Sequence, residues 1–271
     1  MTLQLLVGDS RDRLQELDEA SVQCCITSPP YFGLRDYGVD GQIGAEPELS
    51  SYLDHLCEVF EGVRRVLKPD GTLWLNLGDS YTSGGRTWRD ADRKNAARGM
   101  SYRPPTPAGL KRKDLIGVPW RLAFRLQDLG WYLRTDIVWH KPNCQPESVK
   151  DRPTRAHEFL FLLSRSERYF YDRQGARETS PATGKLRNRR TVWEVNTEPF
   201  PEAHFAVFPP ALVRPCVLAG SRPGDTVLDP FFGSGTVGTV CDELGRDCIG
   251  IELNADYAEI ARNRNADGHG G

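Results

Sequence analysis

The chain has no cysteine framework: its seven cysteines are scattered, with no C-x-x-C pair and no Cys/His cluster at zinc spacing. An odd, unpaired set excludes a disulfide scaffold, and no metal centre is expected. Long apolar runs are also missing, so no membrane-spanning helix is predicted. The amino terminus lacks a basic stretch followed by an apolar one, which argues against a secretory leader and for a reducing, cytoplasmic setting. Excess positive charge is absent too. With 35 Lys and Arg against 37 Asp and Glu, the formal net charge is −2, so any nucleic-acid footprint must come from local segregation of charge. No internal repeat is evident, and the cysteines Cys24, Cys25, Cys216, Cys241 and Cys248 read as small buried hydrophobes.

Charge is segregated. Between Tyr81 and Lys113 the chain carries Arg86, Arg89, Arg93, Lys94, Arg98, Arg103, Lys111, Arg112 and Lys113, interleaved with Trp88 and Tyr102 and few acids. A second run holds Lys185, Arg187, Arg189 and Arg190. Solvated loops would explain both runs; phosphate contact gains weight if they border a base pocket.

Apolar strands alternate with amphipathic helices along most of the chain. Strands are predicted at 3–7, 22–27, 72–77, 131–139, 226–228 and 248–251. A further pair is predicted at 157–163 and 169–171. Helices are predicted at 10–17 with a serine cap, from about 50 to 67 with Pro69-Asp70-Gly71 as its stop, and at 119–129. Others follow at 210–219, 236–244 and 254–265. Such alternation implies a doubly wound α/β domain with a mostly parallel sheet. Residues 78–113 and 172–201 exceed ordinary connection lengths and read as functional loops, the first a mobile basic loop.

Two motifs carry the chemistry. Ser28-Pro29-Pro30-Tyr31 closes the strand at 22–27; neither proline has an N–H, so the Ser28 and Pro29 carbonyls are left to accept from an exocyclic amine. Tyr31 offers a face for an unstacked base. The second motif, Asp229-Pro230-Phe231-Phe232-Gly233-Ser234-Gly235-Thr236, runs from a strand through a glycine turn into a helix, the arrangement of a nucleotide site. Gly233, Gly235 and Gly238 spell G-x-G-x-x-G, and Glu252 ends the next strand near the spacing from which an acid reaches ribose hydroxyls. Yet Asp229-Pro230 before the glycines would repel a pyrophosphate and attract an ammonium. Adenosine joined to a methionine-like zwitterion fits better than a nicotinamide dinucleotide.

These residues, with Gly8-Asp9-Ser10, Trp139-His140-Lys141-Pro142 and the 204–209 segment, resemble the β group of S-adenosylmethionine-dependent DNA amino-methyltransferases. There the catalytic motif precedes the cofactor loop. The resemblance implies a Rossmann-like fold in circularly permuted motif order, with residues 1–171 forming the catalytic half, 172–201 a target-recognition insertion and 202–271 the cofactor-binding half. It implies that Ser28, Pro29, Pro30 and Tyr31 hold a flipped base in double-stranded DNA. The cofactor would meet Asp229, Pro230, Phe231, Gly233, Ser234, Gly235 and Thr236 at its methionine end, Glu252 and Asn254 at the ribose, Asp9 at the adenine amine, and Phe205, Phe208 and Pro209 as a cover. The DNA contacts would be Arg86, Arg89, Lys111, Arg112, Lys185, Arg187, Arg189 and Arg190.

The resemblance also implies that serine at the first motif position goes with cytosine N4 methylation; adenine N6 is the alternative. Methylation of RNA or protein, a nicotinamide oxidoreductase and a non-catalytic DNA-binding module are the competing classes. Ring-carbon methylation would need a Pro-Cys nucleophile, and Asn143-Cys144-Gln145-Pro146 has the wrong order. His140, His157 and His204 are assigned no chemistry. A homodimer, the recognised DNA string and a paired nuclease are left open.

Overall fold

The computed structural model describes residues 2–34, 37–82, 104–198 and 208–266. In chain order its strands are β1 (Leu3–Val7), β2 (Val22–Thr27), β3 (Leu67–Leu77), β4 (Tyr132–His140), β5 (His157–Ser164), β6 (Glu178–Thr179), β7 (Leu186–Arg187), β8 (Val192–Glu194), β9 (Thr226–Asp229) and β10 (Asp247–Glu252). The helices are α1 (Ser10–Arg13), α2 (Leu49–Val66), α3 (Val118–Asp128), α4 (Pro210–Gly220), α5 (Thr236–Glu243) and α6 (Ala255–Ala266). Eight strands form one sheet in the order β1-β10-β9-β2-β3-β5-β4-β8, and β6 pairs with β7 apart from it. Within the sheet, β5 runs antiparallel to both its neighbours and the other pairings are parallel. The doubly wound, mostly parallel sheet predicted from the alternation is therefore what the chain forms.

The ends of the chain meet in this sheet. β1 pairs with β10 from Leu3 opposite Cys248 to Val7 opposite Glu252, as the permuted motif order requires. From β9 the chain winds outward through α5 to β10, and from β2 it winds the opposite way through α2 to β3. The winding reverses between β9 and β2, where Val227 and Leu228 lie beside Cys24 and Cys25. Ligands of open α/β sheets bind beyond the strand ends at such a reversal.

Burial explains the continuous apolar run of β2. Cys24 and Ile26 pack with Val227, Cys248 and the α4 and α5 residues Val213, Val217 and Val240. Cys25 faces the other layer with Leu73, Leu228 and the α2 residues Leu53, Leu56 and Phe60. A strand covered on both faces needs no polar alternation. The five cysteines read as buried are buried, and all seven are free thiols. In β10, Gly250 lets the Phe232 ring lie against the strand: a Cβ there would overlap the ring carbons. Gly250→Ala is expected to cost about 1–3 kcal/mol through this overpacking, read as a lowered midpoint of thermal unfolding; an unchanged midpoint would refute the contact.

Four local readings are corrected. The helix expected at 10–17 is only α1, followed by a 3-10 turn at Leu14–Glu16; its cap is Asp9, which accepts from the Arg11 amide, while the Ser10 hydroxyl donates to the Pro230 carbonyl. Pro69-Asp70-Gly71 does not precede β3 but lies within it, because a register shift against β2 between Val22 and Cys24 absorbs the missing donor. Residues 169–171 form no strand, since β3 and β4 already occupy both edges of β5. Conversely, β8 extends the main sheet beyond β4, anchored by buried Trp193, whose indole donates to the Arg190 carbonyl at 2.7 Å.

Candidate active site

Both motifs open into one cleft at the winding reversal. Ser28, Pro29, Pro30 and Tyr31 line it together with Asp229, Pro230, Phe231, Gly233, Ser234, Thr236, Glu252, Asn254, Asp9 and Phe208. The two stretches are joined directly: the Thr27 hydroxyl, at the tip of β2, donates to Asp229 Oδ1 at 2.6 Å. Asp229 also accepts from the Phe231 amide at 3.0 Å. Neither partner is a cation, and burial pushes its pKa up to about 7, with nearby Glu252 adding to the rise.

The glycine turn is fixed from below and left open above. Gly233 and Gly235 adopt φ of 52° and 81°, the left-handed region, and Gly235 caps α5. A Cβ on Gly233 would meet none of the described residues within 4 Å. Glu252 clasps the loop by accepting from the Gly233 amide at 2.7 Å and the Asn254 amide at 2.9 Å. Burial raises the Glu252 pKa, and these backbone donors oppose the rise. Arg264, on α6, donates to Ser234 and Thr236, a brace with no motif to announce it. Asn254 also caps α6 through the Asp256 amide.

Asp9 reaches the cleft, held by Arg11 at 2.6 Å, and that hydrogen-bonded partner lowers its pKa. Phe208 lines the cleft; Pro209 instead caps α4. Arg86, Arg89 and Phe205 lie outside the described residues. Lys111 and Arg112 are exposed, as are Lys185 and Arg190. Arg187 pairs with Glu178 at 2.8 Å, and Arg189 reaches the same carboxylate at 3.9 Å. Thus Lys185 and Arg190 stand on the surface of the 172–201 segment, while Arg187 and Arg189 are partly spent on Glu178.

At the Ser28 end lies a polar network that the motifs did not reveal. The Ser28 hydroxyl donates to Asn76 Oδ1 at 3.1 Å, and the Tyr31 hydroxyl donates to Glu158 Oε2 at 2.7 Å. Asn76 donates to Glu158 Oε2 at 3.3 Å and to the Phe159 carbonyl at 3.0 Å. Lys141 donates to Glu158 Oε1. The Tyr31 ring lies close over β3's exit: a Cβ on Gly78 would stand 2.6 Å from Tyr31 Cε2, so only glycine admits the ring there. The Pro30 carbonyl is engaged, accepting from the Tyr52 hydroxyl at 2.9 Å.

A sheet of this winding, with a glycine turn and the Ser28–Tyr31 corner in one cleft, defines a doubly wound α/β protein that takes its ligand at the winding reversal. Comparison with known proteins narrows it. Residues 22–263 match the DNA methylase family. The chain is 65% identical over 262 residues to the Type II methyltransferase M.SmaI of Serratia marcescens, covering 96% of this chain and 89% of that protein. It is 61% identical to the Type II methyltransferase M.Cfr9I of Citrobacter freundii, covering 96% and 86%. Among solved structures, PvuII DNA methyltransferase, described as cytosine-N4-specific, superposes with a TM-score of 0.72 at 22% identity, covering 97% of this chain and 86% of that one. A Thermus thermophilus protein solved with S-adenosyl-L-methionine superposes with a TM-score of 0.67 at 26% identity, covering 100% and 97%. The chain belongs to the S-adenosylmethionine-dependent DNA methylases of the cytosine-N4 and adenine-N6 family. Among the described residues no helix is long and apolar enough to cross a membrane.

Proposed function

We propose that this enzyme methylates the exocyclic N4 amine of cytosine in double-stranded DNA, with the target base flipped into the Ser28-Tyr31 end of the cleft. The observation that carries the reading is the Thr27–Asp229 hydrogen bond, which holds the amine-accepting corner and the glycine turn at one sheet opening. S-adenosylmethionine supplies, when bound, a methyl group on a positively charged sulfur. The residues fit it: a buried carboxylate whose partners are uncharged suits the ammonium of the methionine moiety, the open face above Gly233 admits close approach, and Glu252 suits the ribose hydroxyls. Asp9, Phe208, Pro230, Phe231, Ser234, Gly235, Thr236 and Asn254 complete the cofactor side, with Pro209 positioning Phe208.

On the DNA side, the difficulty is that the amine lone pair is delocalised into the ring. Acceptors at Ser28 and the Pro29 carbonyl draw the amine hydrogens and favour the pyramidal nitrogen, while Tyr31 stacks on the base and fixes its angle. The methylated ammonium is acidic enough to release its proton to water, so no general base is required. Serine rather than aspartate at position 28 supports cytosine over adenine. The exposed Lys111, Arg112, Lys185 and Arg190 serve phosphate contacts, and similarity to Type II methyltransferases supports a role beside a restriction nuclease.

The test is direct. The enzyme is incubated with tritiated S-adenosylmethionine and mixed-sequence DNA, which is then digested to nucleosides and chromatographed. Label in N4-methyldeoxycytidine is expected; label in N6-methyldeoxyadenosine would overturn the cytosine assignment.

A further inference from the structure

Lys141 and Glu158 come from the ends of two neighbouring strands, β4 and β5, and both line the cleft beside Ser28, Tyr31 and Asn76. Their side chains are only 17% and 16% exposed, so this is an ion pair set into the pocket wall. Both Glu158 oxygens are engaged: one accepts from Tyr31 and Asn76, the other from Lys141. The carboxylate is therefore a tie between side chains. The lysine differs. An ammonium carries three donors; one goes to Glu158, and Nζ is held 4.0 Å over the Trp139 ring. That ring is buried and itself pinned, its indole donating to the Val195 carbonyl at 2.8 Å. The result is a cation with remaining donors, fixed by a carboxylate and an aromatic face, in the cleft that Ser28 and Pro29 also line.

The hydrogen-bonding edge of cytosine has a matching order: the N4 amine donates, then N3 and O2 accept. We propose that Lys141 is the specificity-determining residue that donates to this acceptor edge of the flipped base, and that Glu158 is the positioning residue that holds both Lys141 and Tyr31. This assignment rests on the cytosine reading above and deepens it. Ser28 and Pro29 recognise the amine, Lys141 recognises what lies beside it, and Glu158 ties the two halves together through Asn76 and Tyr31. Such a division selects a base with an acceptor beside its amine, because a buried donor left without its acceptor is costly. O2, which adenine lacks, is the acceptor that separates cytosine from adenine.

The experiment is a cycle of enzyme and substrate changes. Duplexes carrying the methylated site, mapped from the labelling experiment, are made with cytosine or with 3-deazacytosine, which keeps the amine and O2 but lacks the N3 acceptor. For the wild type, kcat/KM is expected to fall about 10- to 100-fold on the deaza base. Lys141→Met is expected to be similarly slow on cytosine and to lose less than about 3-fold more on the deaza base. Its affinity for S-adenosylmethionine, measured by calorimetry, is expected to match the wild type and reports an intact cofactor half. If that affinity is lost, Lys141→Gln replaces it in the same cycle. Glu158→Gln is expected to shrink the wild-type preference for cytosine over the deaza base. Equal, multiplicative losses from enzyme and base changes would overturn the proposal. If instead the labelled nucleoside proves to be adenine, the cytosine reading fails first, in a measurement that does not involve Lys141.

Discussion

Tyr31→Ala is expected to lower kcat/KM for methyl transfer by about 100-fold while leaving the Kd for S-adenosylmethionine within about twofold. The loss follows from removing the face against which an unstacked base lies, worth roughly 1–3 kcal/mol per base, in a reaction whose rate depends on alignment of the attacking nitrogen. Cofactor binding is spared because the glycine turn is fixed by Glu252 and Arg264, neither of which contacts Tyr31 in the described hydrogen bonds. Tyr31→Phe separates ring from hydroxyl. It keeps the stacking face but removes the bond to Glu158, so a loss of about 5- to 10-fold is expected, the size of one hydrogen bond. Single-turnover transfer at saturating cofactor, alongside calorimetric titration, reads both quantities. The assignment falls if Tyr31→Ala weakens the cofactor while transfer per bound cofactor stays intact.

The fold and the placing of both motifs at one sheet opening were legible in the sequence for a shared reason: both follow from short-range pattern. Strands covered on two faces are unbroken apolar runs, and the residue that follows such a run stands at the sheet's opening, which places Ser28, Asp229 and Glu252 without any knowledge of pairing. What depends on register between strands was not legible. Asn76, Lys141 and Glu158 come from β3, the end of β4, and β5, and become neighbours only because β5 runs antiparallel between the other two. Asn76 and Glu158 alone are ordinary polar residues, and Lys141, though part of the Trp139-Pro142 motif, carries no sign of its partners. The inclusion of Pro69 in β3 escaped notice likewise, since the compensating irregularity is a shift in pairing with β2. So did the recruitment of β8, three residues whose only local signal is Trp193.

Asp229→Asn is expected to do two opposite things: stabilise the cofactor-free protein at alkaline pH and weaken cofactor binding by about 100-fold or more. The carboxylate is buried beside neutral donors, and its pKa of about 7 in the folded chain compares with roughly 3.9 when unfolded. Between these values the folded state holds a proton that the unfolded state has lost, so stability falls as pH rises from about 4 through 7 and then levels. Asparagine removes that penalty while keeping an acceptor for Thr27 and Phe231. The variant should therefore unfold at a higher temperature than wild type at pH 8, with the gap closing towards pH 4. The same burial that costs stability makes Asp229 a strong partner for an ammonium, and breaking a buried ion pair from one side is costly. Below pH 7 the cofactor must displace the proton. Its affinity for the wild type should then fall about tenfold per pH unit, with proton release seen as a dependence of the binding heat on the buffer. Above about pH 8 the cofactor's own amine loses its charge, so affinity should peak between 7 and 8. A Kd that is flat from pH 5 to 8, or an asparagine variant that binds the cofactor normally, would show that the ammonium does not sit against Asp229.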